Sequence, residues 1–134
     1  MTHGTLLEAA VDELALRVRT AWPSARVTFG AVEPLAGEDS AYVQLGATRR
    51  EPLTVTRFAT IAEFRVGLLL PDATGIRLDR LVVQAGALIA AVEARPALGL
   101  GRDPRVTGIE YGADDSGRPW LLATIAVNLE EGQP

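Results

Sequence analysis

Cysteine is absent from the 134-residue chain, so the protein can form no disulfide, no thiolate metal site and no cysteine nucleophile. Lysine is absent too, because all 13 basic residues are arginine. Without lysine the chain cannot carry a Walker-type phosphate-binding loop. Exclusive use of arginine indicates either a GC-rich or thermophilic coding bias or bidentate contacts between subunits.

Histidine and serine, which form most acid–base and nucleophilic sites, are scarce. The one histidine, His3, lies near the terminus, where we expect it to be solvated and without the fixed geometry that a general base needs. The three serines, Ser24, Ser40 and Ser116, each adjoin proline, aspartate or glycine and are typical turn residues, and none lies in a nucleophile elbow. We therefore predict no catalytic residue, no cofactor and no metal site.

Long hydrophobic runs are missing as well. No apolar segment approaches the ~20 residues that a bilayer-spanning helix needs, and residues 1–5 carry no basic segment of a secretory signal. We expect a product made in the cytoplasm, with no membrane partner. The net charge is −4, from 13 basic and 17 acidic residues, whereas binding of nucleic-acid phosphates needs clustered positive charge. We expect no sequence-specific binding of nucleic acid.

The residues that are present predict one folded unit. Apolar residues make up 48% of the chain and no linker divides it, so we predict a single domain with an ordered part of about residues 5–130. Two segments have apolar residues at helical spacing, Thr5–Ala21 and Ile76–Ala94. In the first, Thr5 and Glu8 have the spacing of a capping box. In the second, the predicted apolar stripe includes Val82 and Ile89.

Alternating or β-rich patterns predict five strands. They are Arg26–Val32, Ala41–Ala47, Thr54–Leu70, Arg105–Tyr111 and Trp120–Glu130. The polar segment Thr48–Pro52 is predicted to be a turn or exposed tip. The order α-β-β-β-α-β-β predicts an α+β fold, with two helices on one face of a five-stranded antiparallel or mixed sheet. The third strand is longer than most, as in strands that extend beyond their own domain.

Two groups of side chains are candidates for contacts with a partner. Arg49 and Arg50, predicted at a loop tip, are either solvated or docked onto carboxylates of a neighbour. Trp120 is predicted to face away from the apolar side of the last strand. There it either anchors an interface or covers the second face of the sheet.

Acidic side chains offer the only route to chemistry. Asp114 and Asp115 lie in a predicted hairpin loop with Glu110 nearby, and they lack the spacing of a calcium loop. A small enzyme would need such carboxylates together in a pocket that perturbs their pKa values. A solvated loop or a contact with a partner are the other interpretations.

The element order, the chain length and the long middle strand resemble the tail-terminator proteins of long-tailed bacteriophages. The pattern comprises an opening helix LLEAAVDELALRVR, a strand pair around RREPLTVTRF and a closing strand LLATIAVNLE, and it extends from Thr5 to Leu129. The resemblance implies a small α+β virion subunit that forms a ring, typically a hexamer, on the tail tube. There it ends tube growth and helps to join tail to head. The implied partners are other copies, the tail-tube protein and the head-completion protein.

The resemblance also implies roles for the candidate residues. A closed ring joins two different patches of the subunit, and exposed strand edges suit that pairing. We expect subunit or tube contacts at Arg49, Arg50, Arg57 and Trp120. An acidic lumen would repel DNA phosphates and let the genome pass. We expect it to be lined by Glu38, Asp39, Asp114 and Asp115. The competing hypotheses are an α+β adaptor or binding module and, third, a small enzyme that uses carboxylates.

Overall fold

Seven elements follow one another in the computed structural model, which describes residues 3–29, 39–70, 78–94 and 102–130. Their order, α-β-β-β-α-β-β, is the predicted one. The helices are α1 (His3–Ala21) and α2 (Leu78–Val92). The strands are β1 (Arg26–Phe29), β2 (Ser40–Pro52), β3 (Phe58–Leu69), β4 (Arg102–Ala113) and β5 (Pro119–Glu130).

The strands form one sheet in the order β1-β2-β3-β5-β4. β1 pairs with β2 in parallel, and the other three pairings are antiparallel. The predicted α+β class is confirmed, in its mixed form. β3 and β5 are central. In the hairpin of β4 and β5, the later strand β5 lies beside β3, and β4 lies at an edge of the sheet.

Both helices cover the same side of the sheet, called the helix face here. Alternate residues of β3 and β5 are buried there, as the sequence predicted: Ala62, Phe64, Val66, Leu68, Leu121, Ala123, Ile125, Val127 and Leu129. Leu14 of α1 and Leu88 of α2 are fully buried in the same core. Burying one such large side chain stabilises the fold by about 1.5–3 kcal/mol.

The first hairpin reverses later than predicted. Thr48–Pro52, predicted as a turn, continues β2 and stays paired with β3. The reversal occurs at Leu53–Arg57, where the Thr54 hydroxyl accepts hydrogen bonds from the N–H groups of Thr56 (3.3 Å) and Arg57 (3.1 Å). The Thr54 hydroxyl thus stabilises the turn, which lies just after the polar segment Thr48–Pro52 where we had predicted it.

The start of α1 also differs from its prediction. The helix begins at His3, so Thr5 lies inside it and does not cap it. His3 Nδ1 lies 2.8 Å from the Thr60 hydroxyl of β3, so the histidine is not the solvated terminal residue that we expected. Of the predicted β1, the last part (residues 30–32) lies outside the described residues.

An irregularity in β4 changes which side chains face the core. Strict alternation along the predicted strand Arg105–Tyr111 would put Thr107, Ile109 and Tyr111 on one face. This expectation is wrong, because the register between β4 and β5 shifts between Val106 and Gly108. Val106 and Ile109 both pack against the core, while Thr107 is exposed. An extra residue in one strand moves all later side chains to the other face.

Candidate interaction surfaces

The side of the sheet away from the helices carries two aromatic rings. Tyr42 of β2 lies over Gly67, and Trp120 of β5 lies over Gly112; a Cβ atom at either glycine would collide with the ring. Glycine within a strand allows this close approach. Trp120 faces away from the Leu121 core, as predicted, and is half-buried on the second face. Its role as an interface anchor stays a prediction.

Arg49 and Arg50 lie on the outer half of β2, in the strand and not at a loop tip as predicted. Arg49 Nε lies 3.0 Å from Glu51 Oε1, and the Arg49 side chain is 68% exposed. The Arg50 guanidinium lies 3.8 Å from the centroid of the Phe58 ring, within cation–π distance. Such exposed pairs contribute at most about 1 kcal/mol to the stability of the fold.

The hairpin tip, residues Leu53–Thr56, follows these arginines. Leu53 is 48% exposed and Val55 is 97% exposed. Arg57 lies directly after the tip, and its Nη2 donates to Glu130 Oε2 of β5 at 3.2 Å. The third predicted contact residue, Arg57, therefore fixes the base of the tip to a central strand.

The first predicted acidic pair takes part in a contact within the chain. The Asp39 carboxylate, just before β2, accepts a hydrogen bond from Arg80 of α2 at 2.9 Å, and its side chain is only 12% exposed. Glu38 lies outside the described residues. Asp39 thus links the start of β2 to the first turn of α2, and its lumen role stays a prediction.

The second acidic pair lies in the turn between β4 and β5. The Asp114 carboxylate accepts hydrogen bonds from the N–H of Arg118 (2.8 Å) and from both the N–H and the hydroxyl of Ser116 (3.0 Å each). The hydrogen bond from the Arg118 N–H is the main cause that lowers the pKa of Asp114 below its usual value, and the hydrogen bonds from Ser116 lower it further. Gly117 has φ = 82°, which suits glycine in this turn. Asp115 is exposed.

The proposed carboxylate chemistry gains no support from this geometry. A general acid needs a raised pKa, whereas the pKa of Asp114 is lowered. Glu110 and Asp115 are both exposed. Within the described ranges, no cluster of three or more metal-binding side chains is found. No described helix is both long and apolar enough to cross a bilayer.

The solvent side of α2 is apolar, which the sequence prediction missed. Between Leu81 and Ala91 its exposed residues, called the α2 outer face here, are Val82, Val83, Gly86, Ile89 and Ala90, and the exposed Arg80 lies just before them. The three large aliphatic ones are 52%, 68% and 37% exposed in that order. Val82 and Ile89 were predicted in the buried stripe, and that is wrong. The signal that could have found this surface is the lack of any charged residue from Leu81 to Ala91.

The fold defined by these elements is a mixed five-stranded sheet with one helical layer, and it occurs in solved structures. One solved chain, whose name states no function, is 22% identical with a TM-score of 0.53, over 100% of this chain and 99% of that chain. A chain from the virion of a native gene transfer agent particle is 18% identical with a TM-score of 0.51, over 92% of this chain and 93% of that chain. No protein-family model matches the sequence. No curated protein matches it either.

Proposed function

We propose that this chain is a structural subunit of a phage-like virion, and specifically a tail terminator. In this proposal, copies of the chain form a ring, with six subunits expected, on the end of the tail tube. The ring stops tube growth and takes part in the joint to the head. Its partners are other copies, the tail-tube protein and a head-completion protein, and the subunit performs no catalysis.

The observation that carries the proposal is the likeness to a chain of a gene transfer agent virion. That likeness extends over 92% of this chain and 93% of the other, so it concerns the whole fold and not one motif. The sequence pattern independently resembles the tail-terminator family. Together the two likenesses favour a virion subunit over an unrelated α+β protein.

The surfaces support the same proposal. A ring needs two different contact patches on each subunit. The chain has exposed apolar side chains both at the hairpin tip and on the α2 outer face. It also has an edge strand, β4, that can pair with another strand. The net charge of −4 is compatible with a lumen that DNA passes without binding.

Two measurements test the proposal. In sedimentation velocity and negative-stain microscopy over a range of concentrations, we expect closed rings of one size. When the protein is added to growing tail tubes, we expect tubes of limited length with a ring at one end. A chain that stays monomeric at high concentration and leaves tube growth unchanged would contradict the proposal.

The second candidate is an adaptor that binds one partner without self-assembly. The cleft on the second face of the sheet favours it, because Tyr42, Leu69, Trp120 and Leu122 line a mainly apolar surface there. An adaptor would stay monomeric and would lose its partner on Trp120→Ala. A ring subunit would form rings without any added partner.

A further inference from the structure

A cleft lined by two aromatic rings lies on the second face of the sheet, the side away from the helices. It has a volume of about 290 Å³, and its lining includes Tyr42, Leu69, Trp120 and Leu122. Among the described residues that line it, only Asp114, at the start of the turn between β4 and β5, is charged. We infer that this cleft, called the aromatic cleft here, binds an arginine side chain of another protein. The inference does not depend on the proposed ring, because a ring subunit and an adaptor both need partners.

The two rings are held in place before any ligand binds. A Cβ atom at Gly67 would collide with the Tyr42 ring, and one at Gly112 would collide with the Trp120 ring, so each ring lies against the backbone of a neighbouring strand. Both aromatic residues are only half-buried, and both line the cleft. Groups that are fixed in advance lose little conformational freedom on binding. Aromatic ring faces attract cations, and arginine more often than lysine.

The Asp114 carboxylate has one oxygen that is occupied and one that is not. Oδ1 accepts three hydrogen bonds, from the N–H of Arg118 and from the N–H and the hydroxyl of Ser116. Oδ2 accepts none from the described residues. The hydrogen bond from the Arg118 N–H lowers the pKa of Asp114, so the carboxylate is ionised at neutral pH. A ligand that covers it has to supply a charged donor, because burial of an unpaired carboxylate is costly.

The charges next to Asp114 leave this oxygen available. The Arg118 Nε donates to the Leu70 carbonyl at 3.0 Å, and its Nη2 is buried. The hydrogen bond from the Arg118 N–H contributes most to the lowered pKa of Asp114, whereas the charge of the guanidinium contributes least. Among the described residues, Asp114 takes part in no ion pair. The exposed Glu110, which pairs with Leu122 across the strands, adds a second negative charge beside the cleft.

Other arginines of the second face are remote from Asp114. Arg26 lies in β1, at the opposite edge from β4, so four strand spacings, about 19 Å, separate it from Asp114. The Arg65 Nε lies beside Gly46 of β2, 4.0 Å from the position of a Cβ atom there. Three strand spacings, about 14 Å, separate β2 from β4. Arg105 precedes Asp114 in the same strand by a length of about 30 Å.

The size and lining of the cleft suit one long side chain with a charged end. Its volume lies at the lower limit of the roughly 300–1,000 Å³ of pockets that enclose small-molecule ligands. An arginine side chain places an apolar stem on apolar surface and its charge at the far end. The stem would cover Leu69 and Leu122, while the guanidinium donates to Asp114 Oδ2 and stacks on a ring. The ammonium group of lysine has no plane that stacks in this way.

Arginines of this chain are less suited to the cleft of a second copy. Six of those in the described ranges already make contacts within the chain: Arg17, Arg49, Arg50, Arg57, Arg80 and Arg118. Each would have to leave its contact before it could enter the cleft. This favours an arginine of another protein as the occupant.

The two tryptophans of the chain give a direct readout. Trp120 lines the cleft, whereas Trp22 is 3% exposed in the core and its indole N–H donates to the Gln84 carbonyl at 3.0 Å. Two-dimensional NMR spectra of the labelled chain show one indole N–H signal for each. A capped peptide with one arginine between glycines should shift the Trp120 signal to saturation and leave the Trp22 signal in place. The dissociation constant should be about threefold higher with lysine and about tenfold higher with glutamine at that position.

Two neighbouring aspartates provide a matched pair of variants. Asp114→Asn keeps an oxygen for the three hydrogen bonds of the turn, but it replaces Oδ2 with an amide nitrogen that cannot accept from a guanidinium. It should raise the dissociation constant for the arginine peptide about tenfold. Asp115→Asn removes the same charge from an exposed residue outside the cleft lining, so its effect should stay below about twofold. Tyr42→Leu removes one ring and should weaken binding about threefold.

An unchanged Trp22 signal shows in each variant that the core is folded. Three results would overturn the inference: a Trp120 signal that the arginine peptide does not move, equal binding of the arginine, lysine and glutamine peptides, or equal losses in Asp114→Asn and Asp115→Asn. A Trp120 shift on raising the protein concentration without peptide would also overturn it, because a second copy would then occupy the cleft. Failure of ring assembly removes the tail-terminator proposal alone and leaves this site in place.

Discussion

The two helices cover the same face of the sheet, yet the residues that they expose to solvent differ in polarity. The exposed side of α1 is mainly polar: Glu8, Asp12, Leu16, Arg19 and Thr20. Between Leu81 and Ala91, the exposed residues of α2 are all small or aliphatic: Val82, Val83, Gly86, Ile89 and Ala90. The exposed Arg80 precedes them. A helix at a protein surface is normally polar on its solvent side, and one that is apolar all round is normally buried. The difference is the reason why we propose the outer side of α2 as a contact surface.

The inner sides of the helices do not differ in this way. Leu14 and Val18 of α1 are fully buried, and so are Leu88 and Val92 of α2. The contrast is therefore confined to the surface, where it has little effect on folding. Substitutions can separate the two roles, since inner positions should affect stability and outer positions of α2 should affect assembly.

The largest expected effect concerns the buried positions. Leu14→Ala and Leu88→Ala should each reduce the free energy of unfolding by about 2–5 kcal/mol, because each leaves a cavity in the shared core. Urea denaturation followed by circular dichroism measures both. Comparable losses would show that the helices are equally well packed. A loss below about 1 kcal/mol for Leu88→Ala alone would show that α2 is held mainly by contacts outside this core.

A smaller effect is expected where α1 holds the end of α2. The Arg17 guanidinium donates to the carbonyls of Ala91 (3.0 Å) and Ala94 (2.6 Å), while its Nε donates to Glu13 (2.9 Å). Helix ends leave such carbonyls without helical partners. Arg17→Ala should cost about 1–3 kcal/mol of stability, since its charged hydrogen bonds to the half-buried Ala91 carbonyl and Glu13 carboxylate are lost.

The control for this substitution lies two residues away. Arg19 is exposed on the solvent side of α1, so Arg19→Ala should change the free energy of unfolding by less than about 0.5 kcal/mol. Arg17→Lys should fall between the two, because an ammonium group cannot reproduce the planar set of donors. Thermal denaturation of the three variants measures the order. Equal stabilities for all three would contradict a role for Arg17 in holding α2.

The sequence predicted what depends on regular alternation. The closing strand shows it best, because the five residues from Leu121 to Leu129 that hold one parity are all buried on the helix face. The two helices were located from their apolar spacing. The first ends at Ala21, two residues before Pro23. These features are local, so the chain pattern contains them in full.

The features that the sequence missed depend on neighbouring strands. Thr48–Pro52 looked like a turn because it is polar, but it is an exposed part of β2 paired with β3. The shift of register between Leu45 and Thr48 is also invisible in a single strand. The apolar face of α2 was missed for a related reason. Helical spacing places Val82 and Ile89 on one apolar stripe of α2. How much of that stripe the rest of the chain covers depends on tertiary packing, which the spacing does not contain.

The smallest expected effect comes from the two helical glycines, and it tests whether the apolar face of α2 serves stability or contact. A Cβ atom at Gly86 or at Gly4 would meet no atom within 4 Å, so alanine fits at both sites. Gly86 lies within α2, where Gly86→Ala should stabilise the monomer by about 0.5–1 kcal/mol. Gly4 lies in the first turn of α1, where Gly4→Ala should gain less, since helix ends fray. Melting temperatures measured below the concentration of ring assembly report the monomer alone. A gain at Gly86 together with weaker assembly would mean that this glycine is kept for the contact, at a cost to the helix. A gain with unchanged assembly would mean that the contact does not require glycine there. A loss of monomer stability would contradict the open space above Gly86, and with it the contrast between the two helices.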